Sequence, residues 1–427
     1  MTTHTGAAPV PSQTESPART TIRGLIAQTE IDLRTFGMLL ALGLVLLMFQ
    51  IQSGGTFIRP TNMVTLAVQA AGVAIIATGM VLVIVSRNID LSVGSLVGLI
   101  AMTYALLMTD WMPHLLGMGE DFPFRWVIAL GIGVGLGALV GALQGFIIAY
   151  VGVPSFIVTL GGLLSIRGVV WYLSSGAAVS GLDPDFQLIG GGAVGSIGGT
   201  LTWALGMVGC IAIIVLLFNG RRGRRRFGFP LRPMWAEVMI GVVGCAAVLG
   251  LSAFANANMW PKSLTGGLDR AIGYPFPIIL LIGVTLVMTW LATRRRFGRY
   301  VYAFGGNPDA AELAGINTRL LVLKTYVLMG VLCALAAAIA SARLNGATLD
   351  VGQSYELYVI AAAVVGGTSF AGGIGTIPGA VLGGFFMQSL AYGLSYMGVN
   401  SPGQNVVAGI VLILAVGIDS FNRRRAR

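Results

Sequence analysis

Six consecutive residues, Arg87-Asn88-Ile89-Asp90-Leu91-Ser92, interrupt what would otherwise be a very long apolar run. A cation, an amide, a carboxylate and a hydroxyl fall together where the neighbours are valine, isoleucine and glycine. Charges are costly in hydrocarbon unless paired or hydrated, so the chain must break or surface there. Asp90 with Ser92 and Gly94 also reads as the opening of a new helix, with the carboxylate near its N-terminus. Two readings stand: a tight turn between helices, or a discontinuous helix lining a polar path. A second charge, Arg167, stands alone in an apolar segment and must face water or an acceptor. Asp90 is a possible partner, and Arg167 is then either an interhelix clamp or a contact to a solute. Gln69, Gln144, Ser155, Thr159, Gln388 and Asn405 are uncharged polar residues inside further apolar segments. Amides and hydroxyls of this kind suit hydroxyl-rich sugars, and they serve interhelix hydrogen bonds nearly as well.

Other chemistry is missing. No Gly-x-x-x-x-Gly-Lys-Ser/Thr phosphate loop exists, and neither lysine, Lys262 or Lys324, lies in a glycine-rich turn. The histidines, His4 and His114, fall in the N-terminal tail and an outer loop. Cys210, Cys245 and Cys333 are far apart in apolar stretches, without metal or disulfide spacing. No nucleophile–base pair or metal cluster is visible, so the chain is expected to bind no cofactor and catalyse no reaction.

The elements that must position these residues are membrane helices. Apolar residues make up 56% of the chain and charged residues 10%, too few charges to cover a water-soluble surface of 427 residues. The 62 glycines are an excess that fits close helix packing in a bilayer. Apolar segments of spanning length fall at 36–52, 62–86, 92–109, 126–150, 154–175, 199–218, 234–255, 276–292, 321–342, 355–371, 376–397 and 402–421. Segment 355–371 is short and reads equally as a re-entrant hairpin. The fold class is therefore all-α and polytopic, with about twelve spans. Residues 1–35 form a cytoplasmic N-terminus: 1–20, rich in Thr, Pro, Ser and Ala, are expected to be disordered, and 21–35 to form an amphipathic lead-in. The net charge of +10 does not imply nucleic acid, because the arginines sit in short runs between apolar segments. With a cytoplasmic N-terminus, the inner segments hold Arg19, Arg23, Arg34, Arg87, the runs Arg221–Arg232 and Arg294–Arg299, Arg319, Lys324 and the tail 422–427. The outer ones hold only Arg59, Arg125, Lys262, Arg270 and Arg343. That asymmetry places both termini in the cytoplasm.

Two patterns concern packing. Gly133, Gly137, Gly141 and Gly145 fall four apart, as do Gly375, Gly379 and Gly383, and small residues at this spacing let helices cross closely. The stretch Val93–Gly98 is similar to Ile374–Gly379, which is either a structural repeat or coincidence in a glycine-rich chain. The loop 293–320 is unusually organised. Asn307 suits an N-cap, Pro308 the first helical position and Asp309 the first turn, and Gly315 stops the helix after two turns. The result is a short helix outside the membrane, shaped as a knob for a groove on a cytoplasmic partner.

Several motifs together resemble the monosaccharide permeases of bacterial ABC importers. They are Ile89-Asp90-Leu91-Ser92-Val93-Gly94-Ser95, Pro154-Ser155-Phe156-Ile157-Val158-Thr159-Leu160, Phe297-Gly298-Arg299 through Gly305-Gly306-Asn307, Ala314-Gly315-Ile316-Asn317, and Gly366-Gly367-Thr368-Ser369 with Ala371-Gly372-Gly373. The resemblance runs from about residue 36 to 421. It looks like the xylose-permease branch, whose two-span insert corresponds to 199–258 here, added to a core of about ten spans. The resemblance implies half of a homodimeric channel embedded in lipid in the bacterial inner membrane. Two ATP-binding subunits, which carry ATP and Mg, would dock below it, and an extracytoplasmic sugar-binding protein above. It implies that Gly305, Gly306, Asn307, Pro308, Asp309, Glu312, Gly315 and Asn317 couple to the ATPase. Asn88, Asp90, Ser92, Gln69, Gln144, Ser155, Thr159, Arg167, Thr368, Ser369 and Gln388 are the candidate path residues. Relatives often carry smaller or acidic residues where this chain has Arg87-Asn88. Against a partner-driven permease stand a secondary transporter working alone, with Asp90 as its ion site, and a membrane protein without transport. Uptake by the chain in liposomes lacking an ATPase separates the first of these.

Overall fold

The computed structural model describes residues 33–115, 117–119, 122–192, 194–260 and 269–426. The expected disordered tail, with His4, Arg19 and Arg23, lies outside these residues, as does Lys262. In a bilayer every backbone N–H and C=O must be satisfied within its own segment, so long apolar runs become helices. Ten such helices among the described residues are long and apolar enough to cross a membrane.

In chain order the helices are α1 (Leu33–Gln52), α2 (Pro60–Val85), α3 (Val93–Leu106), α4 (Arg125–Phe146), α5 (Ser155–Ser174), the short α6 (Pro184–Gln187), α7 (Gly199–Arg226), α8 (Met234–Asn256), α9 (Phe276–Arg294), α10 (Arg296–Gly306), α11 (Pro308–Leu313), α12 (Thr318–Leu344), α13 (Tyr355–Val365), α14 (Ile377–Tyr396) and α15 (Ser401–Ala426). Widened π-helical turns prolong α3 through Leu107–Leu115 and α4 through Ile147–Val151. His114, expected in an outer loop, therefore sits in the prolonged end of α3. Pro113 lies inside that stretch and cannot donate to an i−4 carbonyl, which favours the altered turn. Two-residue strands β1 (Val179–Ser180) and β2 (Gly346–Ala347) pair antiparallel, with Val179 opposite Ala347.

All twelve expected apolar segments are helical, but two are shorter than the rest. The apolar part of α15 is Ser401–Gly417. Segment 355–371 becomes the 11-residue α13, about 16 Å long at 1.5 Å per residue, against a hydrocarbon core of about 30 Å. A run of turns over residues 349–354, with Gly352 and Ser354 at positive φ, leads into it, and a glycine-rich turn leads out. The chain beside α13 packs closely on α3: a Cβ on Gly98 would come within 2.8 Å of the Val351 carbonyl.

Burial sorts the helices into centre and rim. The apolar window of α2 is 94% buried and that of α3 is 83%, against 11% for α1, α7 and α8. The hairpin α7–α8 packs mainly on itself, with Thr202, Gly206, Ala236, Ser252 and Ala255 as its buried residues. Its outward leucines and valines suit lipid, where exposure of apolar surface carries no cost. Cys210 and Cys245 are free thiols facing each other across this hairpin, and Cys333 is a free buried thiol in α12.

The glycine ridges work as close-packing faces. A Cβ on Gly137 would overlap the Gly330 carbonyl of α12, and one on Gly141 the Tyr326 carbonyl. One on Gly145 would come within 2.9 Å of Leu323 Cα. On α14, Gly379 and Gly383 meet the Gly366 and Ala362 carbonyls in the same way. The proposed repeat differs in register: Val93 is the first residue of α3, whereas α14 starts at Ile377, three places later in the matching stretch.

Candidate functional site

The segment 86–92 joins two helices of spanning length, so it is a turn, yet it is a buried one. Ser86, Asp90 and Ser92 are at most 2% exposed. Asp90 Oδ1 accepts from the Ser92 backbone N–H (2.9 Å) and from Ser92 Oγ (2.7 Å). Since the Ser92 hydroxyl proton goes to Asp90, Gln144 Nε2 donates to Ser92 Oγ (3.0 Å). The chain of donors thus runs from Gln144 on α4 through Ser92 to Asp90. Gly162 on α5 leaves room for it, because a Cβ there would come 2.6 Å from Gln144 Nε2. Burial pushes the Asp90 carboxyl up, and the two Ser92 donors pull it part of the way back.

Ile89 is gripped through its backbone. Its N–H donates to Ser155 Oγ (3.3 Å), and its carbonyl accepts from Thr159 Oγ1 (3.3 Å) and Tyr326 Oη (3.1 Å). Asn88 Nδ2 donates to the Ser86 carbonyl (2.9 Å). The structure therefore gathers six of the candidate path residues, Asn88, Asp90, Ser92, Gln144, Ser155 and Thr159, around one turn.

The other candidates lie apart. Gln388 Nε2 donates to Gln69 Oε1 (3.0 Å), joining α14 to α2. Arg167 is not paired with Asp90. It lies eight residues beyond Thr159 on α5, about 12 Å further along the helix axis. There Nη1 donates to the Leu349 carbonyl (2.9 Å), which makes Arg167 a clamp on the chain entering α13, within electrostatic reach of Glu356. Thr368 and Ser369 lie in the glycine-rich turn after α13, and their hydroxyls are buried with no hydrogen-bond partner among the described residues. A cavity of about 160 Å³ adjoins that turn, lined by Met38, Val365, Gly366, Gly367, Ile374, Gly375 and Thr376. Typical ligand sites measure about 300–1,000 Å³, so this cavity by itself is too small for one, and a cavity of about 800 Å³ lined by Thr289, Arg299, Tyr302 and Pro378 borders the same turn at Gly375 and Thr376.

The second group lies where the spans end beside α10. Asn307 caps α11 by accepting from the Ala310 N–H (3.1 Å), and Pro308 opens it. Gly315 takes φ +79°, the left-handed conformation that ends the helix. Asn317 then caps α12 by accepting from the Leu320 N–H (2.9 Å), and Glu312 Oε1 accepts from Thr318 Oγ1 (2.9 Å). The result is the expected two-turn knob, with Leu313 at its tip 90% exposed.

The two groups are tied together by a residue whose role the sequence did not reveal. Arg87 Nε donates to the Gly305 carbonyl (2.8 Å) and Nη2 to the Gly306 carbonyl (3.0 Å), at the C-terminal end of α10. Arg87 holds φ +62°, a conformation that costs a non-glycine residue about 1–3 kcal/mol. Gly373 N–H donates to the Val85 carbonyl (3.0 Å), and Tyr302 Oη to the Gly375 carbonyl (2.8 Å). Burial pushes the Tyr302 phenol up to about 12, so it stays a donor at neutral pH. At the opposite ends of the helices, Arg125 on α4 pairs with Asp183 (3.2 Å), and both are nearly buried. Arg125, expected as an outer loop charge, is instead the first residue of α4 and is buried. Asp183-Pro184, a good helix start, was the available signal for its partner.

Residues 62–416 match the family described as branched-chain amino acid transport system / permease component. The xylose transport system permease protein XylH of Escherichia coli K12 is 35% identical, across 94% of this chain and 96% of that protein. The galactose/methyl galactoside import permease protein MglC of the same organism is 30% identical across 90% and 94%. The ribose import permease protein RbsC is 30% identical across 85% and 87%. No solved structure matches the chain. With ten spanning helices, the shared permease motifs and relatives matched along nearly their whole length, the chain belongs to the monosaccharide permease family of bacterial ABC importers.

Proposed function

We propose that this permease moves D-xylose across the cytoplasmic membrane by alternating access driven by a separate ATPase. The observation that carries the reading is the α11 knob: a helix capped at both ends, standing off the bundle, with an exposed leucine at its tip. A connector needs no such order, whereas a groove on a partner does. Two ATP-binding subunits, which hold ATP and Mg, would each receive the knob of one copy in a homodimer. A sugar-binding protein would deliver substrate to the opposite face, around β1–β2 and α6. Both termini are then cytoplasmic, in agreement with the arginine runs on the side of α10 and α11. Closure of the ATPase dimer would push α10–α11, and the glycine-packed bundle would open outward and reset after hydrolysis.

Xylose is favoured over ribose and galactose by the identity to the xylose permeases and by the hairpin 199–258. Reconstitution with the cognate ATPase and binding protein tests the reading. Radiolabelled D-xylose should enter only with ATP, and in preference to D-ribose and D-galactose. Leu313→Asp or Glu312→Ala should lower uptake and sugar-stimulated ATP hydrolysis at least five-fold while leaving membrane insertion intact. Gly306→Leu should do the same, because a side chain there meets open space in this chain and only a partner could clash with it. Uptake of xylose by the permease alone would instead make it a facilitator.

A further inference from the structure

Arg87 stands where the polar turn and the knob meet. Two and three residues beyond it, Ile89 and Asp90 are held by Ser155, Thr159, Tyr326 and Ser92, which belong to or border α5, α12 and α3. One residue beyond Gly306, Asn307 caps α11. The guanidinium spans the interval with two hydrogen bonds to consecutive carbonyls, at 2.8 and 3.0 Å. Planar, forked geometry of this kind fixes orientation as well as distance, which a single ammonium cannot do. A cation at the end of a helix is also favoured by the helix dipole.

The backbone around Arg87 is built to hold it there. Its φ of +62° aims the side chain at α10, a conformation that ordinary residues keep only where surroundings impose it. Gly372 carries no side chain at the point where a Cβ would come 2.6 Å from Arg87 Cγ. Gly305 is equally constrained, since a Cβ there would overlap the Val85 carbonyl. Gly372 thus clears the space that the arginine crosses, and Gly305 lets the end of α10 close onto the end of α2 beside it.

We propose that Arg87 is a positioning residue that carries displacement of α10–α11 into the buried turn 86–92, and through it to α3, α5 and α12. The proposal rests on the importer reading above, and it assigns that motion to one side chain. A residue that merely caps α10 would lower uptake and hydrolysis together. A transmitting residue separates them.

The test is the number of sugars imported per ATP hydrolysed, in proteoliposomes holding the full transporter. The sugar is whichever of D-xylose, D-ribose and D-galactose the wild-type chain imports. Arg87→Gly keeps the backbone conformation and removes the fork, and Arg87→Lys keeps the charge with one donor group. Arg87→Gly should still co-purify with the ATPase, with the ratio reduced at least five-fold, and Arg87→Lys should fall between it and wild type. If Arg87→Gly does not fold, the ratio for Arg87→Lys decides alone, with a reduction of at least two-fold expected. A wild-type ratio in the folded variants overturns the proposal, as does a parallel loss of uptake and hydrolysis. Import by the wild-type chain without any ATPase would overturn the importer reading itself, and this proposal with it.

Discussion

Asp90 depends on Ser92 for both of its donors, and Ser92 depends on Gln144 for its own, which ranks the three residues. Ser92→Ala removes a donor from a buried carboxylate, a loss of about 1–3 kcal/mol. Gln144→Ala takes a donor from a hydroxyl that is otherwise satisfied, worth about 1 kcal/mol. Asp90→Asn leaves an oxygen to accept from Ser92 and removes a carboxyl whose charge burial disfavours. Thermal unfolding of the purified protein in detergent should therefore fall most for Ser92→Ala and less for Gln144→Ala, with Asp90→Asn close to wild type. Transport carries the sharper result: Asp90→Asn should retain ATP-driven uptake within about three-fold. Loss of uptake with normal folding in that variant would favour Asp90 as an ion site, and so a secondary transporter. Gln144, Ser155 and Thr159 stood out as polar residues in apolar helices, and they do meet at Ile89 to Ser92. Arg87 looked like a topological charge, because nothing in local sequence tells that its neighbour is residue 305.

At the level of elements, the glycine ridge of α4 and the broken segment around α13 are complementary. The ridge gives a rigid contact between α4 and α12, where backbone meets backbone at Gly137, Gly141 and Gly330. Gly141→Leu would drive a side chain into the Tyr326 carbonyl. Overpacking of this kind costs about 1–3 kcal/mol, and the lost contact lies next to the Tyr326 bond to Ile89. A lower melting temperature in detergent, together with reduced uptake, is the expected outcome; an unchanged melting temperature would mean that the helices separate freely there. The four-residue spacing announced this ridge, since helical periodicity alone puts such residues on one face. The length of α13 was less legible. Hydropathy does not distinguish a span from a short helix followed by a buried glycine turn, because both are apolar.

For the whole molecule, the hairpin α7–α8 is nearly a separate unit. Its two ends are neighbours, with Asn256 Nδ2 donating to the Gly199 carbonyl (3.3 Å), and its spans are 11% buried. Replacing residues 200–255 with a short Gly/Ser linker should leave a chain that inserts and co-purifies with the ATPase at near full-length yield; failure to insert would show that the hairpin belongs to the core. The amino-acid sequence alone dictates an all-helical, polytopic membrane protein. It also determined where the apolar segments lie and where α11 begins and ends, because hydrophobic length and cap chemistry are local properties. Its permease motifs also pointed to the family that the relatives establish. Three-dimensional packing sets the rest: Arg167 holds the Leu349 carbonyl instead of Asp90, Gln69 pairs with Gln388, and Arg125 is buried against Asp183. It alone brought Arg87 to Gly305, 218 residues away. Partners at such separations are chosen by helix crossing and depth, which no local pattern of residues encodes.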